Sequence, residues 1–374
     1  MAADATGAIP PVLLWADVDK MFYSVEVLER PELQLAEADY PVVIGWDPSE
    51  SPRSIVTTAN GPARALGITS GMSTAVARRR APGRILFLAP RHDLYRRYSK
   101  RLVDVLESAT PALEQCSIDE AVLDWTQHGY DVEPVRRLRQ RVVDEVGLSV
   151  SFGLARNRLV AKLGSEAAKS EPSRICVVLP GEEAAFLAPR PLRALIGVGP
   201  KNESRMTTLG LRTIGDIADR PLEWLVDQFG ASYGRYLFDA SRGVGSTRVT
   251  TIRENRSISE ETTFDYDTAD RAEIWRRLRR QADEVSTKLR RAGLVASEVA
   301  IKVRYGDWQT ITRQQRLGSA TDEAGVLAAA AAALMKRHWQ RERAIRLIGL
   351  RVARLTTPDP SIQLPLFQRR REGG

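Results

Sequence analysis

The chain has 374 residues, with 55 Lys and Arg against 47 Asp and Glu and a formal net charge of +8. Its size and mixed composition are those of a multidomain globular protein, and the excess of arginine favours a polyanionic partner, because guanidinium matches phosphate in a bidentate fork. Two distant cysteines, Cys116 and Cys176, exclude a disulfide framework and a zinc-finger spacing, and the longest apolar run, 326–335, is too short to span a bilayer. The N-terminus lacks a basic segment followed by an apolar one, so a cytoplasmic location is expected.

Residues 1–10 read as a loose leader. The apolar run 12–16 is a strand that delivers Asp17 and Asp19, and an amphipathic helix over Met21–Glu29 stops before Pro31. Residues 41–46 form a buried strand, 47–53 a loop, 55–58 a β-rich segment and 62–66 a short helix. A long helix with arginines on its outer face covers 94–108. Strands follow at 121–125 and 150–154, with helices at 134–146 and 157–169. Residues 11–180 therefore make an α/β unit with an insertion at about 22–88. Residues 181–246 are helical, and 247–257 is a polar linker. Beyond it come strands at 257–264, 297–304, 309–317 and 345–354 and helices at 270–293 and 322–339, a small α+β domain. Residues 357–374 are a tail.

Two acidic pairs stand out in this order. Asp17 and Asp19 share one side of an extended segment, so either can ligate a cation. Asp119 and Glu120 open the strand at 121–125, and as adjacent residues they point to opposite faces. Two cations about 4 Å apart, held by such carboxylates, serve in-line phosphoryl and nucleotidyl transfer. Acidic residues also decorate solvated strand ends, so each pair alone leaves both readings open.

The sequence around both pairs is more specific. Residues 17–26 (DVDKMFYSVE), 58–67 (TANGPARALG), 116–124 (CSIDEAVLD), 153–169 (GLARNRLVAKLGSEAAK), 196–201 (IGVGPK) and 346–355 (RLIGLRVARL) resemble the Y-family of translesion DNA polymerases, the DNA polymerase IV (DinB) branch above all. The resemblance covers nearly the whole chain, in order and at the right spacing. It implies a right-hand polymerase of α/β and α+β domains: a palm at 1–21 and 89–178, fingers at 22–88, a helical thumb at 179–246, the linker at 247–257, a little finger at 258–356 and the tail. The implied activity is low-fidelity, template-directed addition of dNTPs to a primer 3′-end by a monomer acting on primer–template DNA.

The same resemblance implies residue roles. Asp17, Asp119 and Glu120, with the carbonyl of Val18, would chelate two magnesium ions, manganese being the substitute, and Asp19 becomes a neighbour. Phe22 aligns with the family's steric gate, a ring that leaves no room for a 2′-hydroxyl. Thr58, Arg64 and Lys169 match residues at the triphosphate, with Lys20 and Met21 beside them. The chain departs from the family around the nucleotide. Gly61 stands in place of a usual Tyr, Lys20 of a small residue or Cys, Met21 of an aromatic and Tyr23 of Ala. Ser170, Glu171, Pro172 and Ser173 replace a Lys-Pro-Asn-Gly run.

Gly197, Gly199 and Lys201 fit a helix-hairpin-helix, in which backbone N–H groups meet a DNA phosphate at a helix N-terminus. In the third domain Arg253, Arg256, Lys302, Arg304 and Arg313 lie on or near strands, where alternate residues of one sheet face can track duplex backbone; Arg276 to Arg280 read as a solvated helix face. In the tail, Gln363, Leu364, Leu366 and Phe367 look like a bacterial sliding-clamp-binding peptide. Two other classes compete: a non-catalytic DNA- and clamp-binding protein on the same fold, which predicts loss of a metal carboxylate, and another two-metal palm enzyme such as a nucleotide cyclase, which needs neither hairpin nor clamp peptide. His92, His128 and His338 show no ligand spacing.

Overall fold

The computed structural model describes residues 10–33, 40–110, 112–251 and 255–358. These divide into two compact units, one drawn from Met1–Asp47 and Ser54–Ile252, the other from Pro48–Arg53 and Arg253–Gly374.

The first unit is built on a five-stranded sheet in the order β5-β6-β1-β7-β8, formed by Leu13–Val18 (β1), Leu113–Gln115 (β5), Glu120–Asp124 (β6), Val150–Ala155 (β7) and Ile175–Val177 (β8). β1 is central and antiparallel to both neighbours. It reads as a continuous apolar run because both of its faces are buried: Leu14, Ala16 and Val18 enter one core, Leu13 and Trp15 another. The helix Arg158–Ala168 lies on the second face. Its approach is set by glycine: a Cβ on Gly153 of β7 would sit 1.9 Å from the Ala161 carbonyl oxygen. On the first face pack the helices Met21–Glu29, His92–Glu107 and Glu133–Val146.

The insertion holds a small sheet in the order β3-β2-β4, from Val42–Ile44 (β2), Thr58–Ala59 (β3) and Leu86–Leu88 (β4), with its own core around Val43, Val56, Ala63 and Ala77. β4 and the helix Thr74–Arg80 are not among the expected elements, both being too short for a periodic pattern to stand out. Residues 183–241 fold into five short α-helices whose apolar sides join the core under the helix Arg158–Ala168.

The second unit is a four-stranded antiparallel sheet, order β11-β10-β12-β9, from Ser257–Thr268 (β9), Val295–Tyr305 (β10), Thr310–Thr321 (β11) and Ile345–Thr356 (β12). The helices Arg271–Arg291 and Ala324–His338 cover one face, burying Val299, Ile301 and Val303. β9 runs four residues past its expected end at 264, through the exposed Asp265 and Tyr266. Among the described residues no helix is long and apolar enough to cross a membrane.

Candidate active site

A cleft of about 1220 Å³ in the first unit gathers ten of the positions singled out above: Asp17, Val18, Lys20, Met21, Phe22, Thr58, Arg64, Asp119, Glu120 and Lys169. They come from β1, β3, β6, two helices and the loops between them, so only the fold brings them together. Asp17, next to the last residue of β1, lies directly opposite Glu120 of β6 and Ser151 of β7. It is only 8% exposed. Burial raises its carboxyl to about 6; Lys169 works against the rise, and Glu120 and Glu166 add to it.

The helix Arg158–Ala168 and its C-cap supply the counter-charges. Lys169 Nζ lies 3.0 Å from Asp17 and 2.7 Å from Glu166, and Lys162 Nζ lies 2.5 Å from Glu120. Burial disfavours the Lys169 cation, yet Glu166 and Asp17 hold it above its ordinary value. Lys162 and Lys169 are seven residues apart, hence on one helix face; the sequence reading used only the second. Asp119 corrects an expectation. It precedes β6, in a bend, so strand alternation does not govern it. Its carbonyl accepts from Val18 N at 3.0 Å, and its carboxylate from Ser117 Oγ at 2.5 Å. Asp19 is tied elsewhere, to Ser149, Ser151 and Arg174 at 3.0–3.2 Å. Arg174 also donates to the Lys169 carbonyl at 2.7 Å, bracing the turn over 170–173.

Among the described residues no three or more His, Cys, Asp or Glu side chains lie close enough to hold a metal ion. The donor set nevertheless fits a hard divalent cation. All donors are oxygens, and a bound cation would favour the ionised form of Asp17, which burial disfavours. That raised value carries a prediction. Between its ordinary 3.8 and about 6, folded Asp17 keeps a proton that the unfolded chain has released. In chelator, stability should therefore fall as pH rises through this window, by up to roughly 2–3 kcal/mol. Thermal melts at pH 4 and 7 check this; Asp17→Asn should flatten the difference, and an unchanged difference would assign it to another group.

Phe22 stacks on Tyr95 with ring centroids 4.3 Å apart and planes at 14°, and meets His92 edge-on at 6.0 Å. Tyr95 is fixed in turn: its hydroxyl donates at 2.7 Å to Glu26, which is fully buried and also bound by Arg91. Neither Tyr95 nor Glu26 was singled out in the sequence, since they meet across 69 residues of chain. Lys20 adopts φ +47 just before the helix, an uncommon conformation for a side-chain-bearing residue. Met21 and Tyr23 are 2% and 1% exposed and belong to the core beneath the cleft. Arg64 donates from Nε to the Ala59 carbonyl at 2.9 Å and from Nη2 to Thr58 Oγ1 at 3.5 Å. Gly61 opens the helix Gly61–Ala65 with nothing within 4 Å of the position a Cβ would take.

The hairpin at Gly197 and Gly199 is braced by tyrosines. Gly197 has φ +88, Tyr233 Oη donates to its carbonyl at 3.1 Å, and Tyr236 Oη donates to the Ile196 carbonyl. Gly199 caps the helix Pro200–Thr208 without a side-chain bond, and Lys201 is exposed in its first turn. In the second unit Arg304 pairs with Thr310, which puts Lys302 and Arg304 on the face away from the helices; Lys302 forms an ion pair with Glu261 at 2.8 Å. Arg313 pairs with Ile301 and so belongs to the opposite, helix-covered side, at the sheet edge. The expectation of a single basic face is corrected on this point. Arg280 pairs with Glu284 at 2.9 Å, as a solvated helix face should. Arg253 and the tail residues Gln363, Leu364, Leu366 and Phe367 lie outside the described residues.

Three family comparisons bear on this arrangement. The impB/mucB/samB family matches residues 16–166, its C-terminal domain matches 255–366, and the DNA polymerase-iota thumb domain matches 193–245. The chain is 34% identical over 357 residues to DNA polymerase IV of Dehalococcoides mccartyi strain CBDB1, covering 94% of this chain and 89% of that protein. It is 36% identical over 347 residues to DNA polymerase IV of Halorhodospira halophila, covering 92% and 95%. Its fold is similar to a Y-family DNA polymerase chimera of Dbh and Dpo4, with a TM-score of 0.79, 23% identity and coverage of 93% of this chain and all of that one. An insertion ternary complex of Dbh DNA polymerase gives a TM-score of 0.62 at 22% identity, over 93% of this chain and 100% of the other.

Proposed function

The chain belongs to the impB/mucB/samB family and is a Y-family DNA-directed DNA polymerase, and from that premise we propose that it extends primer 3′-ends by two-metal nucleotidyl transfer in low-fidelity, translesion synthesis. The observation that carries the reading is the convergence of Asp17, Asp119 and Glu120 with Phe22, Thr58, Arg64 and Lys169 on one cleft. Asp17, Asp119, Glu120 and the Val18 carbonyl would hold two magnesium ions, which when bound lower the pKa of the primer hydroxyl and neutralise the triphosphate. Lys169, within reach of Asp17, and Arg64 with Thr58 supply donors to the polyanion from opposite elements. Lys20 adds a cation where Gly61 leaves the usual aromatic contact unfilled. Phe22, backed by Tyr95, presents a flat wall to the sugar. In this reading Gly61, which has no side chain and nothing within 4 Å of where a Cβ would stand, adds no contact that would punish a wrong shape, which favours lesion tolerance over fidelity.

In this reading the palm is 1–21 and 89–178, the fingers 22–88, the thumb 179–246 and the little finger 258–356. The Gly197–Gly199 turn with Lys201, and Arg304 of the open sheet face, meet DNA backbone without reading bases. Gln363, Leu364, Leu366 and Phe367 engage a sliding clamp. Deleting residues 361–374 should leave distributive synthesis within about twofold and remove stimulation by the clamp, measured as product length with and without loaded clamp. Equal stimulation of the truncated chain would place the clamp contact elsewhere. The central test is primer extension with Mg²⁺ or Mn²⁺ beside an Asp119→Ala/Glu120→Ala control. DNA binding without extension by the parent chain would favour the non-catalytic alternative.

A further inference from the structure

The turn after the helix Arg158–Ala168, where Ser170, Glu171, Pro172 and Ser173 depart from the family's run, ends on a residue to which nucleotidyl transfer has so far given no task. Arg174 has φ +57, a left-handed backbone that a residue with a side chain keeps only where its surroundings impose it. With no glycine at 170–173, that conformation falls to an arginine. The backbone is held on both sides. The Arg174 amide donates to the Glu171 carbonyl at 3.0 Å, and the Arg174 carbonyl accepts from Phe152 N of β7 at 2.8 Å.

The side chain is held as firmly. One nitrogen, Nη1, donates to the Lys169 carbonyl at 2.7 Å and meets the Asp19 carboxylate at 3.0 Å. Asp19 is anchored in turn: Ser149 Oγ and Ser151 Oγ donate to its two carboxylate oxygens, and its amide donates to the Ser149 carbonyl at 3.1 Å. Lys169 is the C-cap of its helix, so its carbonyl is among those the helix leaves unpaired, and a guanidinium suits that end of the helix dipole. A bridge therefore runs from the start of β7, through Asp19 and Arg174, to the backbone of Lys169. The Nζ of that residue lies 3.0 Å from Asp17 and 2.7 Å from Glu166.

A lysine carries its charge on a flexible stem, so where the ammonium rests depends on where its backbone is fixed. Loosening the cap moves the stem with it, and small displacements of a positioning group are felt strongly at a reacting centre. Arg174 also lines the cleft, but its Nη1 is already committed to Lys169 and Asp19. We propose that Arg174 is a positioning residue: by tying the Lys169 carbonyl to Asp19, it fixes the turn that sets the Lys169 ammonium at the dNTP triphosphate. The inference rests on the reading of Lys169 as a triphosphate donor. It gives Asp19 a task other than holding a metal ion.

Two measurements on the full chain test it. The first is acetylation of lysines in metal-free protein, read by peptide mass spectrometry. Arg174→Gly, which suits the left-handed backbone, should quicken labelling of Lys169 about fivefold and leave Lys162, on the same helix, within about twofold. The second is single-nucleotide insertion on primer–template DNA with Mg²⁺. Arg174→Gly should raise KM for dNTP about tenfold with kcat within about threefold, and Arg174→Lys should keep KM within about threefold, because one ammonium can serve both acceptors. Arg174→Gly added to Lys169→Ala should lose no more than about twofold beyond Lys169→Ala alone, since the first acts through the second. Unchanged Lys169 labelling, a parental KM in Arg174→Gly beside an impaired Lys169→Ala, or a further loss of about tenfold in the double variant would overturn the proposal. Parental kinetics in Lys169→Ala, with Lys169 labelling quickened in Arg174→Gly, would instead overturn the triphosphate reading of Lys169 and keep its positioning by Arg174.

Discussion

Asp119→Ala/Glu120→Ala should lose about four orders of magnitude or more in primer extension while keeping its fold. The loss follows from charge. In the proposed two-metal reading three carboxylates gather the divalent ions at one end of β1, and this pair supplies two of them from β6 and the bend before it. Stability should change little. Asp119 is half-buried in a bend, and its side-chain partner is Ser117, two residues away. Glu120 sits at a strand start, and its loss leaves Lys162 over the Trp15 ring, 5.0 Å from the centroid, with a route to solvent. Asp17→Asn should be as inactive and, in chelator at neutral pH, at least as stable as the parent, because it removes a buried charge. Single-turnover extension and thermal melts measure the two quantities. Activity within tenfold of the parent in either variant would mean that these carboxylates do not hold the reacting ions.

Phe22→Ala should raise ribonucleotide insertion relative to deoxyribonucleotide by roughly a hundredfold, the kinetic equivalent of about 3 kcal/mol of steric exclusion. The structure adds a condition. As the proposed wall, the ring would depend on Tyr95, which lies flat behind it, and on Glu26, which holds the Tyr95 hydroxyl. Tyr95→Leu should therefore relax sugar discrimination by a smaller factor, although Tyr95 comes from a different helix. Glu26, fully buried, needs Arg91 and Tyr95 as partners, so Tyr95→Phe should keep selectivity while costing about 1–2 kcal/mol of stability. Competition between ATP and dATP opposite template T measures the ratio. A Phe22→Ala variant with the parental ratio would remove Phe22 from this role, and parental selectivity in Tyr95→Leu would show that the ring needs no backing.

Much of this was legible in the chain itself. Strands and helices of the third region fall within a few residues of their expected bounds, because apolar alternation and helical spacing are local properties. Some of the short pieces escaped: β4, β5 and β8 have three residues each, too few for a pattern, whereas β2, equally short, lies within the longer apolar run 41–46. The motif at 17–26 located Phe22, since a turn and helix start are also local. Its support did not follow, because Tyr95 lies 73 positions along the chain.

By itself, then, the sequence determined the order and type of the elements, the basic balance, and the set of residues that carries the family resemblance. Those are consequences of side-chain chemistry and near-neighbour spacing. Tertiary structure alone decided how charges and faces are shared out. It put Lys162 and Lys169 on the carboxylates by packing one helix against Gly153. It took Asp119 out of its strand, and it separated Arg304 from Arg313, because the length of the turn at Trp308 sets the pairing parity and parity sets the face. Such outcomes depend on which distant segments are brought into register, and no local pattern encodes that.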